Sequence, residues 1–403
     1  MRKLQRLVVL LVFAAVILAW VPARTDAATE PGPPARYPVI FVPGIAGTEL
    51  YNGSELVWIN TWRLVQSQLP IINLFHLNWL MPLRLGADGL TPFQPAYRVQ
   101  TGDVMRRGLT DAYSGIIASL RDQGYVEGKD LRVFPYDWRQ NPTRAADALG
   151  RLVDRTLAET GAGQVVLIGH SLGGLVTRDY IVKGGGPKVK ALIALATPWL
   201  GAPLAYRALE YGWDMGLKVS GTKWSALAPR DLQVLAQNYP AVYSLAPGRG
   251  YFDWYPGGYI TREGHALTFQ ESVELGLAPH NRSLAMRAPS YLARLLDGSD
   301  HGVMQFVMAG KGRSTSAGYT ERRDGLGLME KTESYVDGDE VVPLYSADLG
   351  YSKDPARART YIGRVISVAY VNQPHTLFTQ STDVQGVVKL WLDVIHGRRA
   401  PGP

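Results

Sequence analysis

Cysteine is absent from all 403 residues. That excludes disulfides, thiolate metal sites and lipid attachment through a cysteine. Histidine is scarce at seven copies, so a general base has few positions to occupy. Long basic runs, internal repeats and low-complexity tracts are missing too. The formal net charge of +7 is spread along the chain with no interleaved aromatic platform, which argues against nucleic-acid binding. A single long apolar stretch occurs, the fifteen residues from Leu7 to Val21, behind Arg2, Lys3 and Arg6. It is short for a membrane span and ends in Pro22 and a small-residue region, so a secretory signal peptide over 1–27 and a secreted or periplasmic fate are expected. An uncleaved N-terminal anchor is the alternative. Residues 28–36 form a Pro-rich lead-in with little to bury.

What the chain does contain is centred on Gly169-His170-Ser171-Leu172-Gly173. The run Val165-Val166-Leu167-Ile168 before it reads as a buried strand, and the residues after it read as a helix. On a turn from strand into helix the serine is held in a strained conformation with its hydroxyl raised from the sheet. Gly169 and Gly173 are needed there because strand and helix pack too closely for a Cβ.

A serine nucleophile needs a base and an acid, and in this kind of fold the chain order is serine, acid, histidine. His375 lies between a strand-like segment, 365–371, and an amphipathic run ending near Leu392, where the base belongs. His265, His280 and His301 fall in or beside an irregular region, and His396 sits at the end of the last helix. The acidic turn Asp337-Gly338-Asp339-Glu340 supplies the carboxylate. Asp339 is taken as the partner of the imidazole, with Asp337 shaping the turn through backbone amides. The turn lacks the ligand spacing of a calcium loop. The oxyanion donors are expected from the amides of Leu172 and of Ile45, which follows the apolar strand 37–42.

The blocks Pro38-Val39-Ile40-Phe41-Val42-Pro43-Gly44, Pro135-Tyr136-Asp137-Trp138-Arg139, GHSLGG at 169–174 and Thr197-Pro198-Trp199-Leu200-Gly201-Ala202-Pro203, with the Asp339 turn before His375, resemble the lecithin:cholesterol acyltransferase family. That family includes lysosomal phospholipase A and phospholipid:diacylglycerol acyltransferases. The resemblance implies an α/β-hydrolase fold, a lipid ester substrate, no cofactor and no metal. It also implies a Ser171–Asp339–His375 triad, oxyanion amides from Ile45 and Leu172, and Trp58 and Trp199 on the substrate side. Asp137 and Arg139 are expected to pair while Trp138 packs. The disulfide-closed loop of animal members cannot form here; the segment 58–62 takes the comparable place.

Strand and helix patterns alternate from Asn141 onward, which predicts a mostly parallel sheet covered on both faces. Residues 37–396 then form one catalytic domain with a flexible tail, 397–403. The excess length lies in two insertions, 52–107, with the apolar run 71–83, and 203–300, with the cluster Tyr251-Phe252-Asp253-Trp254-Tyr255. The first is expected to dock on a membrane or lipid aggregate and the second to cap an acyl-chain groove; the alternative is that both pack internally. The expected function is an exported serine esterase or acyltransferase of lipid esters. A neutral-lipid or small-ester hydrolase is the second reading, and a non-catalytic lipid-binding protein the third.

Overall fold

The computed structural model describes residues 36–60, 79–212, 216–219, 222–225 and 229–400. The expected signal peptide and most of the apolar run at 71–83 lie outside the described residues. The compact unit is Tyr37–Pro403.

Six strands form the central sheet: β1 (Val39–Val42), β2 (Leu131–Val133), β3 (Val165–His170), β4 (Val189–Leu195), β5 (Met304–Gly310) and β6 (Val365–Val371). Their order is β6-β5-β4-β3-β1-β2 and every pairing is parallel. Where the sequence predicts a mostly parallel sheet, the central one is wholly so. β1 and β3 are buried along their whole length, as unbroken apolar runs must be when helices cover both faces. The chain steps outward from β1 to β2 and returns to β3 on the other side of β1. The crevice between the carboxyl ends of β1 and β3 is therefore a topological switch point, where open parallel sheets bind ligands.

The helices follow from local sequence. In α1 (Ser114–Asp122) the residues Ile116, Ile117 and Leu120 turn inward. Asn141 caps α2 (Pro142–Thr160) by accepting the Thr143 amide at 3.0 Å, Pro142 occupies the first turn, and Gly161 at φ 69° ends it. Ala145, Ala146, Leu149, Val153 and Thr156 are its buried stripe. In α3 (Leu172–Tyr180) every residue but the last is buried. Between β4 and β5 lies α4 (Arg282–Leu295), capped by Asn281. α5 (Thr382–Ile395) buries Val384, Val388, Trp391, Leu392 and Ile395 at helical spacing, and Trp391 lies 5.3 Å from the ring of Phe306 on β5. This is the α/β-hydrolase arrangement.

Three smaller assemblies decorate it. Strands Thr48–Asn52, Glu55–Trp58 and Val99–Val104 form a sheet after β1. A long antiparallel hairpin, Arg313–Arg323 with Met329–Gly338, follows β5, joined by Ile260–Arg262 and His265–Ala266. A two-stranded piece covers Gly216–Val219 and Thr222–Ser225. Of the aromatic cluster at 251–255, Phe252, Trp254 and Tyr255 are partly exposed while Tyr251 is buried. Tyr251 is fully buried, its hydroxyl donates to the Ala317 carbonyl at 2.7 Å, and Tyr255, Tyr259 and Tyr345 lie around it.

Candidate active site

Ser171 ends β3 and opens α3 with φ 55° and ψ −125°, a conformation costly for any residue with a side chain. It is held there from both sides. Its amide donates to the Leu195 carbonyl of β4 at 2.8 Å, and Gly173 leaves no room to relax, since a Cβ on it would stand 2.2 Å from the Val42 carbonyl oxygen. Although Ser171 is the N-cap of α3, its hydroxyl makes no capping bond. The hydroxyl is left for His375, whose Nε2 lies 2.9 Å from Ser171 Oγ.

The other face of that imidazole meets Asp339, with 2.8 Å between Nδ1 and Oδ2. Asp339 is fully buried. Its second oxygen accepts the amides of Val341 at 3.0 Å and Val342 at 2.7 Å, and its own carbonyl accepts the His375 amide at 2.9 Å. These bonds satisfy both oxygens of a buried carboxylate and fix the ring plane. They also explain why Val341 and Val342 form no strand after the acidic turn: their amides are spent on Asp339, and the ladder ends at Gly338. Asp337 lies in the second hairpin strand and accepts the Gly312 amide just before the first, rather than an amide of its own turn. Of the other downstream histidines, His265 and His301 face Glu271 and Asp297, and His396 accepts the Tyr37 amide.

The loop 43–48 stands over the serine. Gly44 approaches so closely that an added Cβ would lie 2.8 Å from Ser171 Cβ. Four aromatic side chains grip this loop. Tyr136 Oη donates to the Pro43 carbonyl at 2.9 Å, and Tyr113 Oη accepts the Gly44 amide at 2.9 Å. Trp58 Nε1 donates to the Ala46 carbonyl at 2.8 Å, and Trp138 Nε1 to the Thr48 carbonyl at 3.0 Å. Among the described residues, the amides of Ile45 and Leu172 donate to no protein acceptor. Leu172 is the first residue of α3, where helical amides lack an internal partner. Asp137 and Arg139 pair through two bonds of 2.9 and 2.7 Å, while Trp138 packs 5.0 Å from Trp58. This corner is the platform on which the loop rests.

Trp58 and Trp199, expected on the substrate side, are both buried, at 3% and 1% exposure. The Trp58 indole is spent on the loop. Trp199 sits in the turn after β4, beside Leu200, whose amide donates to Ser346 Oγ at 3.1 Å. Sequence assigns no role to two residues of the site, one inside the nucleophile motif and one far from it. His170 is buried beside His375, ring centroids 4.9 Å apart, and its Nδ1 lies 3.2 Å from the Tyr113 hydroxyl. Burial, then the neighbouring His375, holds its pKa well below the ordinary histidine value. His170 is therefore neutral near pH 7. Burial likewise raises the Tyr113 pKa, so the phenol stays protonated: it accepts from Gly44 and donates to His170. No local pattern singles out Tyr113; only the fold brings it to the loop.

Comparison with known proteins agrees with this architecture. The family model for lecithin:cholesterol acyltransferase matches residues 101–266. The phosphatidylcholine-sterol acyltransferase of Mus musculus is 32% identical over 348 residues, covering 77% of this chain and 76% of its own length. The lysosomal phospholipase A and acyltransferase of Canis lupus familiaris is 26% identical over 211 residues, 44% of this chain and 51% of that protein. The chain thus spans about half the length of that relative. Among solved structures, the crystal structure of the Tle4-Tli4 complex superposes with a TM-score of 0.59 at 15% identity, covering 92% of this chain and 100% of that one, a likeness of fold. The 32% identity shared over most of both chains makes this chain a member of the lecithin:cholesterol acyltransferase family.

Proposed function

We propose that the chain is a serine esterase and O-acyltransferase acting on phospholipid or other lipid acyl esters. One observation carries this reading: a single imidazole within hydrogen-bond distance of both a strained serine hydroxyl and a buried carboxylate, at the switch point of a parallel sheet. His375 takes the Ser171 proton as Oγ attacks the ester carbonyl, and Asp339 stabilises the resulting imidazolium and fixes its tautomer. The tetrahedral oxyanion is received by the amides of Ile45 and Leu172. Its collapse expels the alcohol, protonated by His375, and leaves an acyl-enzyme. Water or an acceptor alcohol then attacks the acyl carbon with His375 again as base.

His170, kept neutral, does not compete for that proton. Lipid ester as substrate class rests on the family relatives, whose names specify phospholipase and sterol acyltransferase activity. Docking of the region 52–107 on a lipid surface and export through residues 1–27 belong to the same reading. They are supported by the apolar run at 71–83 and the basic-then-apolar start of the chain. Among the described residues no helix is long and apolar enough to cross a membrane.

The test presents a fluorophosphonate probe to wild type and Ser171→Ala, then phospholipid with and without an alcohol acceptor. Labelling that needs Ser171, and fatty acid release diverted to acyl ester by the alcohol, are the expected results. Absence of labelling in a folded wild type would leave a binding protein, and labelling without phospholipid turnover a small-ester or neutral-lipid hydrolase.

A further inference from the structure

The turn that carries Asp339 is held from outside the central sheet. The peptide joining Asp339 to Glu340 is bonded on both sides: its carbonyl accepts the His375 amide at 2.9 Å, and its N–H donates to Thr315 Oγ1 at 2.9 Å. Thr315 belongs to the first strand of the hairpin, Arg313–Arg323, and is fully buried. Its own proton is committed to the Arg313 carbonyl at 3.1 Å, which leaves a lone pair facing the Glu340 amide.

Glu340 needs such a hold. It sits at φ 81°, a left-handed conformation that is costly for a residue with a side chain and survives only where neighbours impose it. Two contacts impose it, both from the hairpin. One is the Thr315 bond. The other is the Arg313 guanidinium, 2.8 Å from Glu340 Oε1. With side chains 32% and 48% exposed, that ion pair is screened by solvent and contributes little. The buried hydroxyl is the stronger constraint, since its loss would strand an amide away from water. Its place is closely defined as well. A Cβ on Gly338 would lie 2.6 Å from Thr315 Oγ1 and 2.9 Å from Thr315 Cβ, so strand and turn meet without slack.

The consequence reaches the imidazole. With Glu340 in this conformation the chain folds back, and Val341 and Val342 aim their amides at Asp339 Oδ1. With Oδ1 fixed there, Oδ2 faces His375 Nδ1 at 2.8 Å. Rotation of the Asp339–Glu340 peptide would turn the carboxylate and the backbone contact to His375 together.

We infer that Thr315 is a positioning residue for the proposed acyl transfer. It touches no reacting atom; by holding the Glu340 amide it sets the orientation of Asp339, and through Asp339 that of His375. This role presupposes the Ser171 mechanism proposed above. It gives the base of the hairpin, an insertion between β5 and the acid, a part in the chemistry.

The experiment compares Thr315→Val and Thr315→Ser with wild type, full chain in each case, by kcat and KM on a soluble ester and by melting temperature. Valine keeps the shape and removes the hydroxyl; serine keeps the hydroxyl and removes a methyl group. Thr315→Val should lose about tenfold in kcat with KM within about twofold of wild type. Thr315→Ser should keep kcat within about twofold, although the lost methyl lowers its melting temperature. A merely structural role would rank the variants by stability and not by the hydroxyl. If the valine variant does not fold, Thr315→Ala against Thr315→Ser makes the same comparison with the methyl absent from both. Wild-type kcat without the hydroxyl, or an equal loss with and without it, would overturn the inference and leave the Ser171 chemistry standing. Turnover that survives Ser171→Ala would remove that chemistry, and the role of Thr315 with it.

Discussion

The Tyr113 hydroxyl joins the amide of Gly44, above the serine, to Nδ1 of His170, the residue preceding it. One phenol thus ties the loop expected to receive the oxyanion to the strand that delivers the nucleophile. Removing that oxygen leaves Gly44 N–H and His170 Nδ1 buried and unpaired while preserving the ring packing against Phe41 at 5.2 Å. Tyr113→Phe should lower kcat about tenfold with little change in KM, because the loop geometry matters most when charge develops on the ester oxygen. Steady-state kinetics on a soluble ester checks this; a change confined to KM would contradict it.

Gly44 has no space for a side chain. An added Cβ would press on Ser171 Cβ at 2.8 Å, and neither can yield without moving the loop or the nucleophile. Gly44→Ala should cost about 10²–10³ in kcat, the usual effect of losing an oxyanion donor. The circular dichroism spectrum should be retained. Activity near that of wild type would mean the loop carries no part of the chemistry.

Asp339→Asn tests the role of the carboxylate. Oδ1 of Asp339 accepts two amides, so the side-chain oxygen of the substituted residue takes that place and its NH₂ faces His375 Nδ1. The imidazole must then present an acceptor to the new NH₂ group and a proton to the serine, the wrong tautomer. A loss of about 10⁴ in kcat is expected with the fold intact. A loss under about tenfold would show that the carboxylate does not orient the base.

Much of the site is legible in the sequence, and the reasons differ by element. The nucleophile turn is local: an apolar strand, glycines, and a helix in succession. His375 stands out because the last strand and last helix bracket it. The hairpin 313–338 between β5 and Asp339 is not legible, since both strands are mostly polar and carry no apolar alternation: the first is buried at 315–319 although it is rich in Thr, Ser and Gly, and the second is mostly exposed. Trp58 and Trp199 read as substrate contacts from the family resemblance, yet the fold buries both. Tyr113 and His170 meet across 57 residues of sequence, and such pairs have no local signal.

Stability should respond to pH through His170. Its pKa in the folded state lies well below the ordinary 6.5, so the unfolded chain binds more protons as pH falls through that value. The stabilisation from the neutral ring is fully present above about pH 6.5 and declines toward the depressed folded pKa. Carboxylates with lowered pKa, such as Glu210 and Asp297, act only at lower pH, because their ordinary values are 4.5 and 3.8. Urea denaturation between about pH 7 and pH 5 should therefore show wild type losing stability more steeply than His170→Gln. Parallel slopes would contradict the burial argument.

The account depends above all on a covalent intermediate at one hydroxyl. Rapid-quench mass spectrometry of the chain turning over an activated short-chain ester measures this directly. An adduct of acyl mass on the peptide containing Ser171, absent in Ser171→Ala and accumulating when the acceptor is withheld, is the predicted result. Turnover that persists in Ser171→Ala, or acyl groups carried by a different residue, would contradict it.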